Sequence, residues 1–357
     1  MNRRNAHLIT LLILALSAPL GGCDATARLS EQEHIQRAKD FEDKGNLKSS
    51  IIELKNAIQK NPDSPQARLL LGQVYLKAGF GAEAEKELLR AQQLGISRDS
   101  IAPQLGEALL LMGEHQRLLD EIQSNDKLSS VNQARILALR ANAMLATGQV
   151  RDACDLFQSA QAIDASHPSS YWGLALCAVI ERDPAKARTL LDAALKLPQQ
   201  QSQTLVYIGD LEQLNASLEG ALKAYDSALK IDPENLQARY NRVPALLRAG
   251  KNEAAAKEIA RLRERAPNFA QTHYLTALFD YSQEKYPEAR DALQQAFKFA
   301  PDHPPSLMLA AMTAHALESY QQAETYIGRF LARFPGNKQA IKVLATTQIR
   351  LKQPEKA

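Results

Sequence analysis

The stretch ARLLLGQVYLKAGFGAEAEKELLRA (residues 67–91) spaces its apolar side chains three and four residues apart, breaks at Gly79 to Gly81, and then resumes. That spacing is the period of an amphipathic helix, so the stretch predicts two helices joined by a tight turn. The small residues carry a longer rhythm. From Ser50 a small side chain recurs at Ala84 and fails at Leu118. After one inserted residue it returns at Ala153, Ala187, Ala221, Ala255, Ala289 and Ala323. A second series runs through Ala38, Gly72, Gly106, Ala141, Ala175, Gly209, Val243, Ala277 and Ala311. A third runs through Ala57, Ala91, Ala160, Ala194, Ala228 and Ala296, with Leu262 and Phe330 as departures. Prolines at 62, 233, 267, 301 and 335 follow the second helix of a pair, where no continuation is wanted.

Only a small side chain fits where two helices of a pair approach this closely; Leu71, Tyr75, Leu88, Phe157, Tyr225 and Leu293 fill the space between. The spacing Leu71-Gly72…Tyr75…Ala84…Ala91 resembles the tetratricopeptide repeat, whose period is 34 residues. The resemblance implies an all-α fold, a right-handed superhelix (α-solenoid) with one concave face. Nine repeats then tile residues 31–64, 65–98, 99–132, 134–167, 168–201, 202–235, 236–269, 270–303 and 304–337, with Gly72, Ala84, Ala91, Ala153, Ala187, Ala221, Ala289 and Ala323 among the packing positions. The third is degenerate: EHQRLLDEIQSNDKLSS (114–130) lacks both small positions, and a distorted or loosely packed second helix is expected. Pro244 falls inside a first helix and is expected to kink it. Residues 338–357 supply the first helix of an incomplete tenth repeat. The apolar face this leaves bare makes the chain the expected N-terminal part of a longer array, the alternative being a short chain with an imperfect cap.

The N-terminus reads differently. Arg3 and Arg4 precede an apolar stretch from Leu8 to Leu16, broken only by Thr10. It is too short to span a bilayer and fits the apolar core of a signal peptide, residues 1–22. Leu20-Gly21-Gly22-Cys23 resembles the bacterial lipobox. The resemblance implies cleavage between Gly22 and Cys23, acylation of Cys23, and a short linker over 23–30. Two or three acyl chains anchor lastingly where one does not. Asp24 resembles the signal that retains lipoproteins at the inner membrane, so the expected location is the periplasm, anchored to the inner membrane rather than the outer. The net charge of +3 loses Arg3 and Arg4 and no acid on cleavage, leaving +1. No basic field remains to attract nucleic acid.

The lipobox, the stretch GNLKSSIIELKNAIQKNPDSPQARLLLGQVYLKAGFGAEAEKELLRAQQLG (45–95) and LLLMGEHQRLLDEI (109–122) together resemble the PrsT-type repeat lipoproteins of exosortase/PEP-CTERM systems. The resemblance is most specific over residues 20–125. It implies a periplasmic accessory role in exopolysaccharide (biofilm) production or protein export. The alternative is a scaffold or spacer lipoprotein of another envelope system: secretin, pilus or outer-membrane assembly.

No catalytic constellation is present in the sequence, and no enzyme, cofactor or metal is expected. The seven histidines make no i, i+4 pair and no His-Glu-x-x-His motif. No Gly-x-Ser-x-Gly elbow occurs. His273 reads as a packed ring rather than a ligand. Cys154 and Cys177 fall on adjacent helices, and the reading favours two buried thiols, with a disulfide as the alternative.

In the repeat family, first-helix positions 2, 5, 9, 12 and 13 face the concave groove. The resemblance thereby places Trp172, Leu176, Val179 and Ile180 there, then Gln237, Tyr240, Leu247 and Arg248. Gln271, Tyr274, Leu278 and Tyr281 follow, and then Met308 and Met312. An apolar, aromatic groove suits an extended peptide or partner helix of another envelope protein, with sugar rings on the Tyr faces as a secondary ligand. The alternative is that several of these side chains pack against neighbouring first helices. Asn142 occupies one position of the family's carboxylate clamp, but Ala138 and Leu176 do not complete it.

Overall fold

The computed structural model describes residues 29–353. Gly22, Cys23 and the signal region lie outside the described residues. The described residues form nineteen helices and no strand, divided into two compact units with the boundary between Glu114 and His115.

The first unit contains α1 (Glu31–Asp43), α2 (Leu47–Lys60), α3 (Pro65–Lys77), α4 (Gly81–Gln93) and α5 (Arg98–Met112). Side chains start these helices by satisfying orphan N–H groups. Ser30 and Glu33 form a reciprocal capping box on α1, Asn46 accepts from the Ser49 N–H, and Ser64 caps α3 ahead of Pro65. Ile35, Leu54, Leu71, Val74 and Tyr75 make the core. Two polar side-chain pairs lie between helices of a pair and share a separation of nineteen residues: His34 with Glu53 at 2.6 Å and Arg68 with Glu87 at 2.7 Å.

The second unit contains α6 (His115–Glu121), α7 (Ser130–Ala146), α8 (Val150–Ile163), α9 (Pro168–Ile180), α10 (Pro184–Leu195), α11 (Gln201–Leu214) and α12 (Leu218–Ile231). It continues with α13 (Leu236–Arg248), α14 (Asn252–Arg265), α15 (Ala270–Ser282), α16 (Tyr286–Phe299), α17 (Pro304–Ala316), α18 (Tyr320–Arg333) and α19 (Lys338–Arg350). From α7 onward each helix packs against the next. The odd-numbered helices also touch one another in series: α7 with α9, α9 with α11, and so on to α19. They form one layer and the even-numbered helices the other. Ala153, Ala187, Ala221, Ala289 and Ala323 have no exposed area where the layers meet; in the first unit Gly72, Ala84 and Ala91 are buried likewise.

The turn after each odd-numbered helix reports the register independently of packing. Positive φ occurs at Gly45, Gly79, Gly113, Gly148, Arg182, Ala216, Gly250, Glu284, Glu318 and Lys352. The steps are thirty-four residues, with one of thirty-five between 113 and 148. Glycine holds only half of these positions, so the backbone adopts the left-handed conformation whether or not glycine is there.

Three sequence expectations meet the structure here. The degenerate second helix is shortened rather than loose: α6 has seven residues, yet Leu118 and Ile122 are fully buried. The Arg140 guanidinium on α7 donates to the carbonyls of Leu119 and Ile122 at 2.6 and 2.8 Å, occupying acceptors that a longer helix would have used. Helix α13 runs unbroken through Pro244, as α5 does through Pro103. The favoured pair of free thiols is corrected. Cys154 on α8 and Cys177 on α9 are disulfide-bonded, with Cα atoms 6.0 Å apart, because helices of neighbouring pairs pack within the span a disulfide bridges.

Candidate binding surface

Helix α9 presents Trp172, Leu176 and Ile180 at i, i+4 and i+8, so they share one face. Trp172 is half-buried; its Nε1–H donates to Thr204 Oγ1 at 3.0 Å. Its ring lies 4.9 Å from the Tyr207 ring at 32°, which joins the α9 face to that of α11. Leu176 and Ile180 are 46% and 47% exposed, Tyr207 38% and Leu214 69%. Single exposed leucines are ordinary, but a contiguous group of large apolar side chains over two adjacent helices is not.

A polar network borders this patch. Asp210, one turn after Tyr207, accepts through Oδ1 from the Tyr225 hydroxyl at 2.6 Å and from Asn241 Nδ2 at 2.7 Å. Gln213 Nε2 donates to the Tyr225 hydroxyl at 2.7 Å, and Gln237 Nε2 to Asn241 Oδ1 at 2.7 Å. Burial raises the Asp210 pKa above the usual carboxylate value, and the two donors oppose the shift.

The other groove candidates are placed differently. Tyr240 is corrected from groove to core. It is buried among Val243, Ile259, Leu262 and Leu275, and its hydroxyl meets Thr272 Oγ1 at 3.2 Å. Side chains at this position wedge against the next first helix, as Trp172 does on Thr204. Tyr274 is half-buried, edge-on to His303 at 5.7 Å, and Tyr281 is edge-on to Tyr286 at 5.3 Å. Met308 and Met312 are half-buried, Met308 against the core of Leu307, Ala311, Ile327 and Phe330. Tyr274, Tyr281, Met308 and Met312 are thus half-buried, as Trp172 is. His273 stacks on Phe299 at 5.4 Å, and its Nε2 lies 2.8 Å from the Pro267 carbonyl.

Tyr207, Asp210 and Leu214 were not among the groove residues read from sequence. Asp210 and Leu214 stand thirty-four residues after Leu176 and Ile180, so carrying the same positions into the next repeat finds them. Tyr207 sits one residue beyond a groove position, and only its contact with Trp172 marks it. Among the described residues no group of three or more His, Cys, Asp or Glu side chains is placed to hold a metal ion, and no helix is long and apolar enough to cross a membrane.

Comparison with known families and structures bears on the fold. Profiles described as tetratricopeptide repeat match residues 43–94, 215–279 and 138–203. One described as anaphase-promoting complex, cyclosome, subunit 3 matches 259–330. No curated protein matches the chain. The crystal structure of yeast Tom70 is similar over 92% of this chain and 83% of its own, with 14% identity and a TM-score of 0.52. A tetratricopeptide repeat protein from Parabacteroides merdae ATCC 43184 is similar over 79% of this chain and 98% of its own, with 18% identity and a TM-score of 0.45. At such identities the likeness to Tom70 concerns the fold alone. With its helix pairs, its recurrent small contacts and the repeat profiles that match residues 43–94, 138–203 and 215–279, the chain belongs to the tetratricopeptide repeat superfamily.

Proposed function

We propose that this chain is a non-enzymatic, lipid-anchored periplasmic scaffold that binds a protein partner across α9 and α11. Its setting, on this reading, is an exosortase/PEP-CTERM-linked exopolysaccharide or protein-export system. Tetratricopeptide repeat domains bind peptides or proteins in a groove, and the observation that carries the reading here is the exposed set Leu176, Ile180, Tyr207 and Leu214 on α9 and α11, with the half-buried Trp172 ring joining the two helices through Tyr207. Aromatic and aliphatic anchors of this kind dominate the energy of protein interfaces. The Cys154–Cys177 disulfide supports an oxidising compartment, in accord with the signal-like N-terminus and Cys23.

The test is site-specific photocrosslinking from position 176 in the native envelope, with palmitate labelling of the same strain. The reading expects a discrete protein adduct that Trp172→Ala weakens, and label that Cys23→Ala abolishes. A surface that yields no adduct overturns the binding role. Label that persists in Cys23→Ala overturns the anchor.

A further inference from the structure

Among the described residues, the carboxylates around the α9–α11 surface are paired or capped with one exception. Glu212 meets Arg188 at 2.6 Å and Glu181 meets Lys186 at 3.1 Å. Asp183 is spent on the N-cap of α10, where it accepts from the Lys186 N–H. Asp210 has no cation among the described residues. Its Oδ1 is occupied by Tyr225 and Asn241, which fix the carboxylate in place and leave Oδ2 without a hydrogen-bond partner there. A half-buried carboxylate without a cation carries a desolvation cost that these two hydrogen bonds offset only in part. It stands on the same face of α11 as Tyr207 and Leu214, and the Tyr207–Trp172 ring pair lies one turn away. Aromatic faces attract cations as well as apolar groups.

We propose that this surface recognises a peptide segment in which apolar side chains flank one Lys or Arg. The apolar groups cover Trp172, Leu176, Ile180 and Leu214, and the cation binds Asp210 Oδ2. The inference rests on the groove-binding reading above and adds the chemistry of the partner. The preorganised Oδ1 bonds matter because an acceptor already held in position loses little freedom on binding. An acidic segment would bring like charge against Asp210 and is excluded.

The test uses the full chain as bait for a phage-displayed library of random dodecapeptides. The probes for affinity are the selected peptides, each remade with its basic residue changed to Gln or Glu. Asp210→Asn keeps an Oδ1 acceptor for Tyr225 and Asn241 while removing the charge, and its circular dichroism melt checks folding. The expected result is enrichment of apolar peptides with one Lys or Arg. Affinity should fall about tenfold on Lys→Gln or in Asp210→Asn, the effect of one charge-assisted hydrogen bond, and the two losses should not add. Enrichment of apolar peptides without a basic residue, still weakened by Leu176→Ala, overturns the cation site and leaves the groove reading standing. No enrichment, or binding untouched by Leu176→Ala, overturns both. Should Asp210→Asn misfold, the Lys→Gln and Lys→Glu peptides on the unaltered chain decide alone.

Discussion

Gly209 on α11 lets the Tyr225 ring on α12 approach so closely that a Cβ at 209 would stand 2.4 Å from Cε1. Tyr225 is fully buried, and its hydroxyl ends on Asp210, the next residue along α11. The small position therefore does two things. It closes the helix pair, and it sets the depth at which the phenol reaches the carboxylate. Gly209→Ala is expected to destabilise the protein by about 1–3 kcal/mol through overpacking. Combining it with Tyr225→Leu, which removes the crowded ring, should cost less than the two changes summed. Urea denaturation of the four proteins measures the coupling. Additive losses would mean that the ring is not what the added methyl group meets.

The recurrent left-handed turn residue gives a prediction of opposite sign. Ala216, with φ of 60°, and Glu284, with φ of 59°, hold a conformation in which a Cβ crowds the following carbonyl. Glycine relieves that crowding, though it also gives the unfolded chain more freedom. Ala216→Gly and Glu284→Gly are each expected to stabilise by about 0.5–1 kcal/mol, read as a higher thermal midpoint. An equal change at Ala249, one residue before Gly250 and with φ of -84°, should destabilise.

The helix pairs were readable in the sequence because a contact that admits only a small side chain leaves a mark every thirty-four residues. Ala221 and Ala289 carry that mark and are buried where expected. Which large residues stay exposed was not readable, because exposure depends on the neighbouring pair. Tyr240 and Trp172 occupy the same repeat position. Tyr240 is walled in by Ile259, Leu262 and Leu275, whereas Trp172 meets Tyr207 at the rim of the exposed patch. Likewise the distance between Cys154 and Cys177 is set by how one pair packs on the next, a quantity no spacing rule within a repeat contains.

The disulfide joins two successive pairs across 23 residues of sequence. Closing a loop of that size removes conformational freedom from the unfolded chain and is worth about 3 kcal/mol. Dithiothreitol, or the double change Cys154→Ser and Cys177→Ser, is expected to lower the denaturation midpoint by a corresponding amount. Thiol titration of the unreduced, denatured chain should find no free thiol from this pair. Two reactive thiols there would contradict the bond.

Glu258 on α14 is almost wholly buried and is held by Arg239, Arg242 and Arg261. Arg239 also donates to the Pro233 carbonyl at 2.6 Å, tying the preceding turn to its own helix pair, as Arg68 does to Pro62. Removing a buried ion's partner costs more than the pair contributes, because the remaining charge is stranded. Arg239→Met is expected to destabilise by about 1–3 kcal/mol, since Arg242 still faces Glu258. Arg239→Met combined with Glu258→Leu should recover much of that loss in urea denaturation. A double variant as unstable as the single change plus a further loss would show that the pair stabilises by more than its own compensation.

His303 precedes α17 as its N-cap residue. Its Nδ1 lies 2.7 Å from Ser306 Oγ, and its ring packs edge-on against Tyr274. Burial lowers its pKa below the ordinary 6.5, and a positive charge at a helix N-terminus opposes the helix dipole. The folded state therefore binds its proton less readily than the unfolded chain does. Above the ordinary value both states are neutral and this contribution to stability is whole. As pH falls through 6.5 the unfolded chain protonates first, and the contribution is lost progressively down to the lowered folded value. The thermal midpoint should drop over that interval, and His303→Asn, which places a non-titrating amide at the same position, should flatten the drop. An unchanged slope in His303→Asn would assign the acid sensitivity to other groups.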